Sequence, residues 1–208
     1  MATNQLHGKR YEQHITQAFP KSLLSPMPPT ATWDILAEHD EKLNIPTSVK
    51  TTKNNSIGMS DARKFVSTNC TFRLIVAQYR QESGYKVFSS MMEFIITPEI
   101  MKKIRNELTL EFVKEYHDSI SAFGPGKENQ RLARAVAKQY KEKLNQINTL
   151  ITLNPKIDSK DQRRLQCSIK LDQLMNLVQP NIYTTDYRGV DLRLKITSPS
   201  RSFNKKAA

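Results

Sequence analysis

Two stretches decide the fold, Ala31–Leu36 (ATWDIL) and Ile45–Thr52 (IPTSVKTT). Both carry β-branched or aromatic residues, and the polar run 37–44 between them is long enough for a hairpin turn, so the pattern predicts two neighbouring strands. Side chains alternate across a strand, which puts Ile45, Thr47 and Val49 on one face and Pro46, Ser48 and Lys50 on the other. One face is apolar and the other is chemical. A hairpin of this length brings Asp34 beside Lys50, so that an aspartate and a lysine project from adjacent strands.

Upstream, Gly8 to Phe19 places Tyr11, Ile15, Ala18 and Phe19 at the spacing of one helical face, and Pro20 ends the helix. Ser25 to Pro29 (SPMPP) is a loop, because three prolines in four positions fix φ and remove donors. Downstream, Asn54 to Gly58 reads as a turn, and Ser60 caps a short helix reaching about Val66. Thr71–Tyr79 and Val87–Thr97 read as two more strands around Gln81–Gly84. Pro98 to Ser121 is helical, with Thr97 as cap and Pro98 at the first helical position. After the break Gly124-Pro125-Gly126 come a long helix, Lys127–Ile147, three strand-like segments (Ile151–Ile157, Leu165–Leu171, Val190–Ile196) and a tail, 198–208. The expected fold is α/β: a mixed central sheet of about four to five strands flanked by helices, with a helical, basic subdomain. The 208 residues are expected to form a single domain, 8–97 its core and 98–208 its additions.

The chain holds 32 basic against 20 acidic residues, a net charge of +12. A surplus of this size points to a polyanion, since neutralising phosphates releases condensed counterions. No run of 18 apolar residues occurs and the first ten residues are polar, so the expectation is a soluble, cytoplasmic protein without a membrane partner. Cys70 and Cys167 lack the spacing of a disulfide framework or zinc site and read as small buried residues. Walker, G-x-S-x-G, G-x-G-x-x-G and H-E-x-x-H motifs are all missing.

Asp34, followed fourteen residues later by Ser48-Val49-Lys50 and preceded by a helix carrying Gly8-Lys9-Arg10-Tyr11-Glu12, resembles the core of the PD-(D/E)XK nucleases, type II restriction endonucleases in particular, over roughly residues 8–66. The resemblance implies a restriction-endonuclease-like core, Mg²⁺ as cofactor, double-stranded DNA as substrate and a homodimer, whose twofold axis sets one site against each strand; residues 98–123 are a candidate dimer surface. It makes Asp34 a metal ligand, Lys50 the lysine that assists the attacking water, and Glu12 the helix glutamate that completes the site. Ser48 departs from the pattern, because it stands where the family has an acid. The second carboxylate must then come from elsewhere, either from Asp61 at the start of the following helix, as in some restriction enzymes, or from Glu12.

The chemistry explains the grouping: phosphodiester hydrolysis wants a metal to polarise the phosphoryl oxygen and acidify water, and a cation to meet the developing charge. Mg²⁺ accepts as few as two carboxylates and otherwise keeps its waters. Along the long helix, Lys127, Arg131, Arg134, Lys138 and Lys141 fall within an arc of about 80°. That stripe suits a phosphate backbone, with Leu132, Val136, Tyr140, Leu144 and Ile147 expected to bury the opposite side. Arg163, Arg164 and Gln166 are candidate base readers, since arginine and glutamine pair bidentately with guanine and adenine edges. The leading expectation is a Mg²⁺-dependent, sequence-specific DNA endonuclease. Its rivals are a non-catalytic nucleic-acid-binding protein, for which Ser48 argues, and a structure-specific repair or recombination nuclease.

Overall fold

The alternation in Thr47–Lys50 does form a strand, and its register with the next strand positions the chemistry. The computed structural model describes residues 6–23 and 32–197; the proline-rich loop 25–29, Ala31 and the tail 198–208 lie outside these described residues. In chain order the elements are α1 (Leu6–Thr16), β1 (Thr47–Thr52), β2 (Ser56–Asp61), α2 (Ala62–Ser67), β3 (Phe72–Glu82), β4 (Tyr85–Ile96), α3 (Pro98–Arg105), α4 (Leu110–Ser121), α5 (Lys127–Leu144), β5 (Ile151–Ile157), β6 (Arg163–Lys170), α6 (Leu171–Leu177), β7 (Asn181–Tyr183), β8 (Asp186–Tyr187), β9 (Val190–Asp191) and β10 (Lys195–Thr197). The protein is mixed α/β. Its chain divides into two compact units, one from residues 1–54, 73–94 and 180–208 and the other from 55–72 and 95–179.

The first unit holds the sheet β1-β3-β4-β10, with β7 also paired to β4. β1 runs parallel to β3, Thr47 facing Arg73 and Val49 facing Ile75. A two-residue turn, Ser83-Gly84, joins β3 to β4; both residues have positive φ (30° and 85°), the backbone that matches a hairpin's twist. Tyr11, Ile15, Ala18 and Phe19 are all buried, and with Val49, Ile75, Ala77, Phe88 and Met91 they form the apolar core of this unit. Tyr11 stacks on Phe88 with ring centroids 4.2 Å apart, a pairing worth about 0.5–1.5 kcal/mol beyond area burial. The first expected strand shrinks to a single antiparallel bridge, Ile35 to Thr47. The chain then turns through a short 3₁₀ segment, Ala37–His39, where His39 is buried.

The second unit is built on the antiparallel sheet β2-β6-β5. β2 occupies residues read from sequence as a turn and a cap: Ser60, at φ 69°, lies in the strand beside a register shift, and Asp61 is the N-cap of α2. Serine's capping propensity loses here to a carboxylate that accepts from two backbone amides. The helical region 98–121 is two helices, because Asn106 takes a positive φ of 48° and Thr109 starts a new cap. Thr97 caps α3 with Pro98 in its first turn. No described helix is long and apolar enough to cross a membrane.

Candidate functional site

Backbone geometry brings Asp34 to Lys50. The bridge fixes the segment by Asp34 N–H and Ile35 N–H donating to Thr47 O (2.9 and 3.1 Å) and Thr47 N–H donating back to Ile35 O (2.8 Å). With the strands locked in this way, Asp34 Oδ2 accepts from Val49 N–H at 2.7 Å, Ser48 Oγ at 3.2 Å and Lys50 Nζ at 3.3 Å. The ion pair is mostly shielded, its side chains 17% and 25% exposed. Among the described residues nothing donates to Oδ1. Ser48 therefore takes the role of a donor that positions Asp34. Val49, between Ser48 and Lys50, points the other way into the core beside Tyr11 and Ile15, as alternation requires.

Glu12 belongs to the same group. It follows Tyr11 on α1, half-buried at the edge of the packed face, and burial lifts its carboxyl above the ordinary carboxylate value; the negative charge of Asp34 lifts it further, against opposition from Lys50 and Lys9. A carboxyl raised by burial and by the charge of Asp34 is one whose ionised form a nearby cation would favour. Hard oxygen donors of this number fit Mg²⁺, which is commonly held by one or two carboxylates with water and phosphate oxygens completing its shell. Among the described residues there is no group of three or more His, Cys, Asp or Glu able to hold a metal.

Asp61 lies in the other unit and is occupied. Its Oδ1 accepts from Arg63 N–H (2.9 Å) and Lys64 N–H (3.0 Å), and its Oδ2 lies 3.7 Å from Arg63 Nη2. Two backbone amides and a guanidinium partner this carboxylate, so its role among the described contacts is that of the α2 N-cap.

The expected DNA-binding residues fare unequally. Lys127, Arg131, Arg134, Lys138 and Lys141 are all exposed on α5. Arg131 is held bidentately by Glu128, and Arg134 donates to Ile157 O at 3.3 Å, which leaves Lys127, Lys138 and Lys141 as the less committed cations. The buried side of α5 is Ala133, Ala137 and Tyr140, while Leu132 stays 37% exposed. The packed face is thus turned about 45° from the one expected, since the small alanines admit close approach and Tyr140 stacks on Tyr116 at 4.7 Å. The Arg163 guanidinium donates to the carbonyls of Asp158 (2.6 Å), Gln162 (2.9 Å) and Gly124 (2.8 Å). Arg164 is exposed and Gln166 half-buried on β6. Cys167 is buried as expected, but Cys70 is exposed.

Sequence reading missed a buried ionic network behind β1. Arg73, fully buried, pairs with Asp40 at 2.8 Å and Glu93 at 2.6 Å and donates to Thr47 Oγ1 at 3.0 Å. Arg188 reaches Asp40 at 3.0 Å, and the Tyr183 and Tyr187 hydroxyls donate to Glu93 at 3.0 and 2.8 Å. A signal existed: Arg73 stands alone in the apolar run Phe72–Ala77, and a charge in such a strand must find partners.

No protein-family model, curated protein or solved structure matches this chain.

Proposed function

We propose that this protein is a Mg²⁺-dependent, sequence-specific double-stranded DNA endonuclease of the restriction type, acting as a homodimer. The observation that carries the reading is the convergence on Asp34 of Val49 N–H, Ser48 Oγ and Lys50 Nζ, with Glu12 electrostatically coupled to the same group. The local topology supports it too. A short segment bearing an acid runs antiparallel to a strand bearing x-x-Lys, and that strand runs parallel to the next, an arrangement in keeping with a restriction-endonuclease-like core.

Asp34 and Glu12 would hold the metal, which when bound supplies Lewis acidity and a lowered pKa for water. The chain's own residues do the remaining work. Ser48 and the Val49 amide fix the Asp34 carboxylate, and because Oδ2 takes all three donors, Oδ1 is left to face a ligand. Lys50, shielded from bulk water, presents a cation whose field is little screened and can meet negative charge developing on a phosphoryl oxygen. The exposed lysines of α5 supply non-specific affinity for the backbone.

Purified protein should nick or linearise plasmid DNA with Mg²⁺, and Asp34→Ala or Lys50→Ala should abolish cutting while duplex binding survives. Cutting at the wild-type rate by either variant removes the site. Discrete fragments from linear DNA support the restriction reading, and digestion from ends or at branches alone supports a structure-specific nuclease. One observation favours a non-catalytic binder instead: Ser48 stands in place of an acid, and among the described residues no group of three or more His, Cys, Asp or Glu forms that could hold a metal. That reading predicts salt-sensitive binding with no cleavage in any divalent metal.

A further inference from the structure

The second unit has a polar sheet face that the Asp34–Lys50 site does not use. Along β5 and β6 the residues alternate: Ile151, Leu153, Leu165, Cys167 and Ile169 are buried on one side. On the other, three directly opposed pairs face outward, Thr152 with Ser168, Asn154 with Gln166 and Lys156 with Arg164. All six are exposed or half-buried, and none is a carboxylate. Lys156 and Arg164 are both exposed, and among the described residues neither has an ion-pair partner. Like charges directly opposite one another destabilise a strand pair, so the free protein carries a repulsion here that an opposite charge would turn into attraction. Asn154 Nδ2 donates to Ser168 Oγ at 3.0 Å and to Thr152 O at 3.2 Å, while the Gln166 amide makes no hydrogen bond among the described residues. On the far side of β6, Gly58 of β2 pairs with Ser168, and nothing lies within 4 Å of the place where a side chain would begin. The one acid of β2, Asp61, pairs with Gln166, and its oxygens are engaged by the Arg63 and Lys64 amides and the Arg63 guanidinium.

We infer that the outward face of the β5–β6 ribbon enters the major groove of duplex DNA, with Lys156 and Arg164 meeting phosphates and the Asn154 and Gln166 amides reaching base edges. The inference rests on the nuclease reading for the identity of the polymer. Charge complementarity argues for a polyanion, because phosphates relieve the repulsion of the opposed cations and release counterions as they bind. Shape argues for the groove. Paired strands stand about 4.8 Å apart, and a major groove about 12 Å wide admits a two-stranded ribbon. The missing side chain at Gly58 leaves the β2 flank of that ribbon low. Order along the ribbon argues for sequence readout. The cations and the amides are two residues, about 7 Å, apart, which is about two steps of the 3.4 Å phosphate repeat. A plain anion site would need no amides, whereas each amide sets a donor beside an acceptor, the pattern that matches an adenine edge.

The test uses the full chain, a short fluorescent duplex of mixed sequence and anisotropy across a salt series in EDTA, where cleavage cannot occur. Lys156→Gln/Arg164→Gln should lower the slope of log affinity against log salt by about two, close to 0.9 per lost phosphate contact, and weaken low-salt binding about tenfold or more. Lys21→Gln/Lys42→Gln, which removes the same charge from exposed positions in the other unit, should change the slope by much less. Lys156→Glu, which sets an acid opposite Arg164, should raise the Tm of the free protein and weaken binding. Duplexes selected from a random pool read the amides: Asn154→Ala/Gln166→Ala should keep the salt slope and lose the preference at one or more positions that the wild type enriches. Equal slopes for the wild type and the ribbon variant overturn the inference, as do equal losses in the two charge-matched variants, an unchanged selected sequence in the amide variant, or tighter binding of a single strand than of the duplex. Cleavage in Mg²⁺ is scored separately: a wild type that cuts, with unchanged binding in the ribbon variant, sinks the ribbon alone. A wild type that never cuts, with the slope falling as stated, sinks the nuclease reading alone.

Discussion

Replacing Arg73 by Met tests the account of the buried network behind β1. The substitution keeps the volume near that of the original stem but leaves Asp40, whose side chain is fully buried, and Glu93, 8% exposed, without their shared cation. Removing one partner of a buried ion pair costs roughly 3–5 kcal/mol. The lower end applies here, because Asp40 keeps Arg188 and Glu93 keeps two tyrosine hydroxyls. At an unfolding entropy of about 2.1 cal/mol/K per residue, a loss of about 3 kcal/mol lowers Tm by about 7 °C if the whole chain melts together, and by about twice that if the first unit melts by itself. Urea denaturation followed by circular dichroism and by the fluorescence of Trp33 measures the change.

The pH dependence of that loss is diagnostic. In the wild type, burial pushes the Asp40 carboxyl up, but hydrogen bonds from Arg188 and Arg73 outweigh it and hold the group below its usual value. Its contribution to stability is therefore complete above the unfolded pKa and disappears as pH falls through the folded one. In the variant, the orphaned carboxylates are the destabilising element, and protonation relieves them. Relief of the orphaned carboxylates shrinks the difference between the proteins as pH drops from 7 towards 4, and loss of the wild-type Asp40 contribution shrinks it further only below about pH 4. Arg73→Met/Glu93→Gln should recover part of the loss by removing one orphaned charge. A difference that stays constant over this range, or a double variant no more stable than the single one, refutes the network as described.

Glu12→Gln should stabilise the metal-free protein at pH 7 and lose that advantage below about pH 4. The raised wild-type carboxyl favours the fold while protonated, and that contribution is lost as pH rises through its folded pKa. The same substitution should cancel the rise in Tm that Mg²⁺ gives the wild type; melting curves at two pH values, with and without Mg²⁺, check both. Asp61→Ala should cost about 1 kcal/mol through the loss of the α2 cap, with plasmid cleavage per folded molecule unchanged; a cleavage rate that collapses would place Asp61 in the site. Arg163→Ala should destabilise by about 2 kcal/mol or more, since three backbone carbonyls lose their donor, and leave the sequence preference of cleavage as it was.

Local periodicity and spacing account for the part of this architecture that was legible. The face Tyr11, Ile15, Ala18 and Phe19 is one helical stripe, and all four residues are buried. The alternation of Ser48, Val49 and Lys50 is one strand's pleat, and it sends the serine and lysine to Asp34 and the valine to the core. What was missed required knowledge of partners far away in sequence. Ser60-Asp61 shows the intermediate case, where two good capping residues stand together and β2, pairing with β6 a hundred residues on, decides between them by carrying Ser60 into the strand. Arg163 is similar: its type suggested base recognition, and only the fold of the Gly124 loop and the β5–β6 connection reveals three carbonyls waiting for it.

The buried network extends the argument to the site itself. Thr47 receives Arg73 on its side chain and the Ile35 bridge on its backbone, so the same residue ties the ionic cluster to the strand segment that presents Asp34. Asp40 and Glu93 flank Arg73 from the 37–44 connection and from β4, while Arg188 and Tyr187 come from the C-terminal hairpin. A charge cluster this costly to bury contributes little net stability over an apolar equivalent. Its distinctive effect is directional, because ion pairs tolerate far less sliding than methyl groups do. By that reasoning Arg73 acts on chemistry as a positioning residue. A partly active Arg73→Lys variant should keep its affinity for duplex and lose turnover, as the Asp34–Lys50 geometry loosens without any change in the groups that touch DNA. Affinity and turnover falling together would place Arg73's influence on folding alone.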